Sequence, residues 1–245
     1  MNSVETEIKL FQRDLQEFHI NLEERQITLF LQYYELLLKW NSFMNLTSIT
    51  EFPEVIKKHF VDSVSLIKAV PDLPYKPYTL IDVGTGAGFP GIPLKIIFPD
   101  LKITLLDSLN KRVQFLREVI DNLELKEIEA IHGRAEDFAK QEGLRESFDL
   151  CVSRAVANLS VLAEYCIPFV KQKGFFVAYK GENISEEFEN SKNAVKVLGG
   201  SFIKQVDFTL PNSDIRRNLF LIEKKSATPL KYPRKSGKPS KEPIL

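Results

Sequence analysis

The segment with the clearest chemical meaning is a glycine-rich stretch that begins with an acid, Asp82–Phe89, with the sequence DVGTGAGF. It follows a short apolar run, so its glycines lie where a strand turns into a helix and let the backbone approach a ligand closely. Dinucleotide-binding loops have the pattern G-x-G-x-x-G and bind pyrophosphate through backbone N–H groups. Here the register is G-x-G-x-G, Phe89 stands where the third fingerprint glycine belongs, and the Asp82 carboxylate would repel a pyrophosphate. The pattern favours a cationic nucleoside without phosphate, such as S-adenosylmethionine, over NAD.

Three further segments place polar residues after later strands. Asp107 ends the second predicted strand, 25 residues after Asp82, where a carboxylate can accept both ribose hydroxyls. Ala135 and Glu136 follow the third strand, where adenine is usually contacted, and Arg154 follows the fourth. Because the carboxyl ends of parallel strands meet at one edge, these segments converge on one crevice. The predicted cofactor-binding residues are Asp82, Gly84, Thr85, Gly86, Gly88, Phe89, Asp107, Ser108, Ala135, Glu136 and Arg154.

The loop after the fourth strand indicates which kind of acceptor would be methylated. Exocyclic base amines are methylated in this fold with an Asn/Asp/Ser-Pro-Pro-aromatic loop, whereas this loop reads Ser153-Arg154-Ala155-Val156. Carbon methylation of a pyrimidine needs an activated cysteine, and Cys151 lies within an apolar strand. What remains is a lone-pair acceptor such as a purine ring nitrogen, which needs no general base. Catalysis would consist of positioning, and Arg154 is the residue predicted to be catalytic.

From residue 79 onward, short apolar runs alternate with helical stretches. The predicted strands are Thr79–Val83, Lys102–Asp107, Glu129–His132, Phe148–Ser153, Phe175–Lys180, Phe202–Phe208 and Asn218–Glu223, and the predicted helices are Leu94–Phe98, Asn110–Asn122, Ala135–Glu142, Leu159–Val170 and Ile184–Leu198. Apolar strands separated by helices predict a parallel sheet covered on both faces. The last two strands have only the break at Pro211–Asp214 between them and are predicted to form an antiparallel hairpin. The fold class is α/β: a doubly wound, Rossmann-like seven-stranded sheet of the class I S-adenosylmethionine-dependent methyltransferase type.

The two ends of the chain differ from this pattern. The first 83 residues contain no glycine, which suits helices: one carries apolar residues at helical spacing from Ile27 to Leu38, and a second runs from about Pro53 to Ala69. From Lys224 onward the chain is basic, and its prolines predict an extended tail rather than a regular helix. The predicted organisation is a helical cap (1–78), an S-adenosylmethionine-binding domain (79–224) and a basic tail (225–245).

Motifs in the cap and the tail make the assignment more specific. The chain carries Trp40-Asn41 with Asn45–Ile49, Lys58–Ser63, Asp82–Pro93, Leu106–Arg112, Ser153–Ala157 and Lys231–Lys235. Together they resemble the bacterial RsmG family, formerly glucose-inhibited division protein B, over nearly the whole chain. The resemblance implies methylation of a guanine N7 in 16S ribosomal RNA by S-adenosylmethionine, in the bacterial cytoplasm. By position it implies cofactor contacts from Gly84, Phe89, Ala135, Glu136 and Arg154.

A formal net charge of zero conceals an uneven distribution of charge. Residues 224–245 hold seven basic residues and one acid, a net charge of +6, against 26 basic and 32 acidic residues before them. Neutralisation of phosphates supplies most nucleic-acid affinity, so RNA is expected to bind the tail and some loop cations. The candidates are Lys57, Lys58, Lys180, Arg154, Arg216, Arg217 and the cations of the tail. Tyr179 and Phe89 are each candidates either for stacking the target base or for the core.

Composition excludes several other classes. With 44% hydrophobic and 27% charged residues, the chain is neither disordered nor of low complexity. Its start is acidic, and no run approaches the roughly 18 apolar residues of a membrane span. Two cysteines in apolar surroundings suit a reducing cytoplasm.

No metal site is expected, no oligomer is required, and His59 and His132 are expected to be structural or surface residues. The RNA partner is expected within the 30S subunit or a precursor. Two alternatives remain open: a non-catalytic ribosome-assembly or RNA-binding protein that keeps the fold, and a nucleotide-dependent oxidoreductase.

Overall fold

A seven-stranded sheet forms the centre of the computed structural model, which describes residues 3–154, 157–182 and 184–245. The strands are β1 (Thr79–Val83), β2 (Lys102–Asp107), β3 (Ile128–His132), β4 (Phe148–Arg154), β5 (Val170–Lys180), β6 (Gly200–Thr209) and β7 (Arg216–Lys224). Their order is β3-β2-β1-β4-β5-β7-β6, with β7 antiparallel to both neighbours and the other pairs parallel. The predicted fold class and the terminal hairpin are confirmed.

Ten α-helices lie in the described ranges. They are α1 (Ser3–Gln16), α2 (Glu24–Met44), α3 (Phe52–Val55), α4 (Asp62–Val64), α5 (Gly91–Ile97), α6 (Asn110–Asn122), α7 (Ala135–Phe138), α8 (Leu159–Cys166), α9 (Ser185–Val197) and α10 (Lys238–Lys241). A π-helical turn, Ile56–Val61, joins α3 to α4, and a 3₁₀ turn, Ser65–Lys68, follows. The second cap helix expected from the sequence is therefore continuous, but its winding changes from α to π, back to α and then to 3₁₀. Nowhere in these ranges is a helix both long and apolar enough to cross a membrane.

Each strand sends alternate side chains into two apolar layers, because successive residues of a strand point to opposite faces. Leu80 and Leu105 enter one layer, which contains residues of α1, α2, α5 and α6. Their neighbours Ile81 and Leu106 enter the other, which contains residues of α8 and α9. Helices on both faces bury most of the central strands β1, β2 and β4, which explains why these strands read as apolar runs in the sequence.

The N-terminal helices pack against the glycine-rich loop after β1. Tyr33 of α2 is fully buried and donates its hydroxyl to the carbonyl of Ala87. Its ring lies 5.5 Å from that of Phe89 and 5.7 Å from that of Phe60, measured between centroids. Burial raises the pKa of the Tyr33 phenol well above its usual value, so it stays protonated and donates at neutral pH. The cap thus holds the outer side of the loop.

The tail is not extended, contrary to the expectation from its prolines. Pro239 lies in the first turn of α10, where a proline has no hydrogen bond to lose, so the short helix tolerates it. Lys224 belongs to β7, is 1% exposed and pairs with Glu146. Lys224, one of the candidate RNA-binding cations, is therefore a structural cation.

The contact between the cap and the loop predicts that Tyr33→Phe weakens ligand binding as well as stability. Removing the hydroxyl leaves the buried Ala87 carbonyl without this donor, which costs about 1–2 kcal/mol of the free energy of unfolding. Affinity for S-adenosylmethionine should fall because the loop is held less firmly. Urea unfolding and isothermal titration calorimetry measure the two effects.

Tyr34→Phe is the matched control, since the Tyr34 hydroxyl donates to Thr50 within the cap and not to the loop. It should lower stability and leave ligand affinity unchanged. Equal affinities in all three proteins would show that the cap does not hold the loop.

Candidate functional site

A cleft of about 380 Å³ opens at the carboxyl edge of the sheet, above β1 and β2. Parallel sheets of this kind bind ligands at that edge, where the strand order reverses on either side of β1. The lining residues from the sheet side are Gly84, Thr85, Gly86, Ala87, Phe89, Asp107, Ser108, Arg112 and Arg154, and those from the cap are Leu46, Thr47 and His59. Three of the four segments expected to converge do so in this one cleft.

A second cavity of about 220 Å³ shares Gly84 and Ser108 with the cleft and extends toward β3. Its other lining residues are Val83, Leu106, Gly133, Arg134, Ala135, Glu136, Tyr165, Gly237 and Ser240. The fourth segment, after β3, therefore lies at the far end of the same site. Together the two cavities form an elongated site along the ends of three strands.

Asp107 joins the glycine loop to the end of β2. One of its carboxylate oxygens accepts from the backbone N–H of Gly86 at 2.9 Å, and the other accepts from Leu109 at the same distance. Its side chain is 2% exposed, and an Arg112 nitrogen lies 3.5 Å away. The Gly86 N–H, which would bind a pyrophosphate in a dinucleotide site, thus already donates its hydrogen bond to the Asp107 carboxylate.

Asp82 lies beneath the loop and lines neither of these two cavities. Its Oδ2 accepts from the Thr85 hydroxyl at 2.7 Å and from the Gly91 N–H at 2.9 Å. Its Oδ1 is buried with no hydrogen-bond partner in the part of the chain that the structure describes. Complete burial raises the pKa of Asp82 from 3.8 to about 6, although the bonds from Thr85 and Gly91 oppose this.

The glycines of the loop have different surroundings. Gly86 has a φ of +62°, and a Cβ there would meet nothing within 4 Å. Gly88 has a φ of +94°, and a Cβ would lie 2.5 Å from Ile92 and 2.8 Å from the Tyr33 hydroxyl. Gly86 is therefore open to the cleft, whereas Gly88 allows the close packing of the cap and α5.

Arg154 ends β4 between the cleft and a third cavity of about 310 Å³, whose walls include Lys58, Asp62, Tyr179 and Lys180. Its Nη1 donates to Asp62 at 3.0 Å and to the carbonyl of Lys58 at 3.2 Å. The guanidinium carbon lies 5.1 Å from the centre of the Phe89 ring, within the range of a cation–π contact. Arg154 is thus held by residues of the cap and of the loop.

His59 lies in the walls of both the cleft and the third cavity. Its Nδ1 is 3.3 Å from Arg154 Nη2, and its Nε2 is 3.0 Å from the Thr47 hydroxyl. The Lys58 carbonyl also lies 3.1 Å from Nδ1, so this nitrogen has both a donor, Arg154, and an acceptor within hydrogen-bond distance. Burial and the nearby Arg154 charge lower the pKa of His59 to about 3, so its imidazole is neutral at pH 7.

Asp62 is the residue that links these groups. Its side chain is 5% exposed, with Arg154 on one oxygen at 3.0 Å and Arg217 of β7 on the other at 2.9 Å. Both oxygens of this buried carboxylate are thus paired with guanidinium groups. Its effect is to fix the position of both arginines beside the third cavity.

Nine of the eleven residues predicted to bind a cofactor line the two joined cavities, and Asp82 and Gly88 do not. Ser153 is buried, and its hydroxyl donates to the Val83 carbonyl. Ala155 and Val156 of the same loop lie outside the described residues, as do Met1, Asn2 and Asn183.

Some of the predicted RNA-binding cations form ion pairs with buried acids, and others line the third cavity. Lys57 pairs with the buried Asp14, and Arg234 pairs with the buried Glu164. Lys58, Lys180 and Arg217 lie around the third cavity. Phe89 is 6% and Tyr179 is 3% exposed, so both are largely core residues whose edges contribute to cavity walls.

Several residues that line the site were not predicted from the sequence, among them His59, Asp62, Thr47 and Gly237. His59 and Asp62 lie in the quoted stretch Lys58–Ser63, but nothing in their local pattern indicates contact with a strand end almost a hundred residues later. Among the described residues, no group of three or more His, Cys, Asp or Glu side chains is arranged to hold a metal ion.

Comparison with known families and curated proteins gives a consistent result. Residues 26–215 match the profile of the family described as GidB, rRNA small subunit methyltransferase G. A protein of Alkaliphilus metalliredigens named ribosomal RNA small subunit methyltransferase G is 53% identical over 239 residues, covering 97% of this chain and 99% of the relative. A protein of the same name from Bacillus cereus is 52% identical, with 97% and 98% covered.

Solved structures agree on the fold alone. TYW2 of Pyrococcus horikoshii, crystallised with MeSAdo, aligns with a TM-score of 0.51 at 15% identity over 68% of this chain and 61% of its own. A mutant of the protein MtNAS aligns with a TM-score of 0.55 at 13% identity over 82% of this chain and 75% of its own. Both likenesses rest on the shared sheet and its helices.

The buried Asp82 predicts a pH-dependent effect of Asp82→Asn. Because the folded-state pKa of about 6 exceeds the ordinary 3.8, the folded protein binds this proton more tightly than the unfolded chain does. The carboxyl therefore costs the folded state progressively more as pH rises between these two values, by up to about 3 kcal/mol above pH 6. Asparagine removes that cost, so the stability of the variant relative to the natural protein should increase over this range.

Urea unfolding of both proteins at about pH 4.5 and about pH 7 gives the difference directly. Any constant cost of placing an amide in the carboxylate's position cancels between the two pH values. A stability difference that is the same at both would show that Asp82 titrates like an exposed acid.

Proposed function

The chain belongs to the family of rRNA small subunit methyltransferase G, and from this premise we propose that it transfers the methyl group of S-adenosylmethionine to the N7 of a guanine in 16S ribosomal RNA. The proposal joins three properties of the site: an elongated cavity for a nucleoside, a separate cavity for a base, and an arginine between them. The observation that carries it is the hydrogen bond from the Gly86 N–H to Asp107.

That bond favours a nucleoside without phosphates. In dinucleotide-binding folds the glycine loop keeps its N–H groups for a pyrophosphate. Here the Asp107 carboxylate takes one of them and carries a negative charge into the cleft, which disfavours an anionic ligand and suits a cationic one. Carboxylate oxygens have several lone pairs each, so Asp107 can still accept from ribose hydroxyls. An oxidoreductase that binds NAD is correspondingly disfavoured.

The residues present fit S-adenosylmethionine along the length of the two cavities. Ala135 and Glu136 would contact the nucleobase in the cavity of about 220 Å³, Asp107 the ribose, and Gly84–Phe89 with Arg154 the amino-acid part. The open space above Gly86 is what close approach of a ligand to the backbone requires. When bound, S-adenosylmethionine supplies an activated methyl group on a sulfonium.

The third cavity is the proposed site of the target base. It shares Arg154 and His59 with the cofactor cleft, so a base within it lies beside the proposed methyl donor. Guanine presents two acceptors, N7 and O6, on its Hoogsteen edge, whereas adenine presents a donor beside N7. A guanidinium can only donate, so Arg154 favours guanine through O6 and leaves the N7 lone pair free. Lys58 and Arg217 at this cavity are suited to the neighbouring phosphates.

The chemistry needs positioning and no general base. The N7 lone pair forms the new N–C bond as the C–S bond breaks, and no proton has to leave the acceptor. The two groups that could act as bases are both engaged by the protein: His59 has both ring nitrogens within hydrogen-bond distance of protein groups, and Asp62 is paired with two arginines. Arg154 is the proposed catalytic residue, because its guanidinium holds the base in line.

Transfer of labelled methyl from S-adenosylmethionine to undermethylated 30S subunits tests the proposal. We expect label in one guanine of 16S RNA, released by the depurination and strand cleavage that 7-methylguanine undergoes. Label in another base or atom would contradict the N7 assignment. Cofactor binding without any transfer, to 30S subunits or to free 16S RNA, would favour the alternative of a non-catalytic ribosome-assembly protein.

Gly86→Val is expected to abolish cofactor binding. The side chain would project into the open cleft from a backbone with positive φ, and the expected loss of affinity is at least about a hundredfold. Gly143→Val is the matched control, because Gly143 also has a positive φ (+83°) and open space around it but lies in an exposed turn outside the cleft.

Both valine variants should lose similar stability, and calorimetry should detect a loss of affinity only at position 86. Normal affinity in Gly86→Val would show that the loop has been assigned to the wrong ligand.

A further inference from the structure

We propose that residues 232–241, here named the C-terminal strap, form the outer wall of the nucleobase end of the cofactor site, with Gly237 and Ser240 contacting the adenine. This inference rests on the proposed function, since it assigns new binding residues to the same cofactor. The sequence suggested a different role for this segment, that of an extended, proline-containing cationic tail that binds RNA.

The strap is anchored by a buried ion pair. Arg234 donates its Nε and Nη2 to Glu164 of α8 at distances between 2.6 and 3.1 Å, and its backbone N–H donates to the same carboxylate at 2.7 Å. The Glu164 side chain is 1% exposed. Bidentate pairing with a guanidinium fixes both the position and the direction of the chain at this point.

Packing on either side strengthens the anchor. Tyr232 packs against the apolar layer that contains α8 and α9, and its carbonyl accepts from Arg145 at 3.0 Å. Pro233 and Pro239 are both buried. A segment that was free to search for RNA would not bury its prolines and an arginine in this way.

The strap residues that line the cavity are held by other residues of the same cavity. The Gly237 N–H donates to Glu136 Oε1 at 2.9 Å, and the Ser240 hydroxyl lies 2.8 Å from that of Tyr165. Beside them, Arg134 donates to the Ser236 hydroxyl at 2.6 Å. Glu136 is 5% exposed, so the strap takes part in shielding a carboxyl that is itself predicted to contact the cofactor.

The residue types on the two sides of the strap support its assignment as a wall of the cofactor site. The residues that face the cavity are a glycine, which allows close approach of a planar ring, and a serine, whose hydroxyl both donates and accepts. The strap also exposes three cations, Lys235, Lys238 and Lys241, that do not line the cavity. A wall of this composition suits a neutral purine and not a phosphate.

The decisive comparison is between the full chain and a chain that ends at Ser236. The shortened chain lacks Gly237 and Ser240 and keeps the Arg234 anchor. Calorimetry should show at least about a tenfold loss of affinity for S-adenosylmethionine and the same loss for 5′-methylthioadenosine, which has the nucleoside but no amino-acid part. Affinity for 30S subunits should change by less than about twofold.

Two further variants test whether cofactor affinity depends on the wall itself, and not on the charge of the strap or on the stability of the shortened chain. Lys235 and Lys241 are exposed and do not line the cavity, so Lys235→Ala combined with Lys241→Ala removes two cations, leaves Gly237 and Ser240 in place and should not change cofactor affinity. Ser240→Trp keeps the whole chain, obstructs the cavity and should reduce affinity for both nucleosides. If the shortened chain is unfolded by circular dichroism, the tryptophan variant decides the question.

The outcomes also distinguish this inference from the proposed function. If the full chain binds S-adenosylmethionine and both the shortened chain and Ser240→Trp bind it equally well, the wall assignment is overturned and the proposed function stands. A shortened chain that loses affinity only for 30S subunits would likewise overturn it, in favour of an RNA-binding arm. If the full chain itself binds no S-adenosylmethionine, the proposed function fails first.

Discussion

The hydrogen bonds that hold the glycine loop against the sheet are the constraint on which the site depends. Residues 84–88 include three glycines with positive φ, a conformation that gives close access to a ligand but has little stiffness of its own. Asp82 fixes the loop from below, Asp107 from the side and Tyr33 from the cap. The buried Asp82 carboxyl costs stability at neutral pH, and the protein retains it where the backbone needs acceptors that do not move.

A second buried carboxylate, Asp62, organises the part of the site where the acceptor is proposed to bind. It connects the helical cap to β4 and β7 through Arg154 and Arg217, three elements that are far apart in the sequence. Because each of its oxygens is paired with a guanidinium group, Asp62 fixes the position of both arginines. This arrangement agrees with a reaction in which an existing lone pair attacks and geometry supplies most of the rate enhancement.

Charge in this protein is arranged locally, and its total says little. Residues 224–245 have a net charge of +6, yet Lys224 at the end of β7 and Arg234 of the tail are used in ion pairs with the body of the protein. The remaining cations of the tail are displayed from a fixed surface beside the cofactor site. The net charge of a segment therefore does not show whether its cations bind RNA or support the fold.

The sequence by itself determined the strands, their order of appearance, the terminal hairpin and the loop after β1, because short apolar runs and glycine spacing are local signals. It also indicated that Asp107, Ala135, Glu136 and Arg154 would meet, since parallel strands share one edge. Only the tertiary structure decided what surrounds them. Asp62 directly follows a π-helical turn. The tail folds back onto the protein through contacts with residues about 70 to 100 positions away, such as that of Arg234 with Glu164. Long-range pairing of charges depends on how whole elements pack, and no local spacing records it.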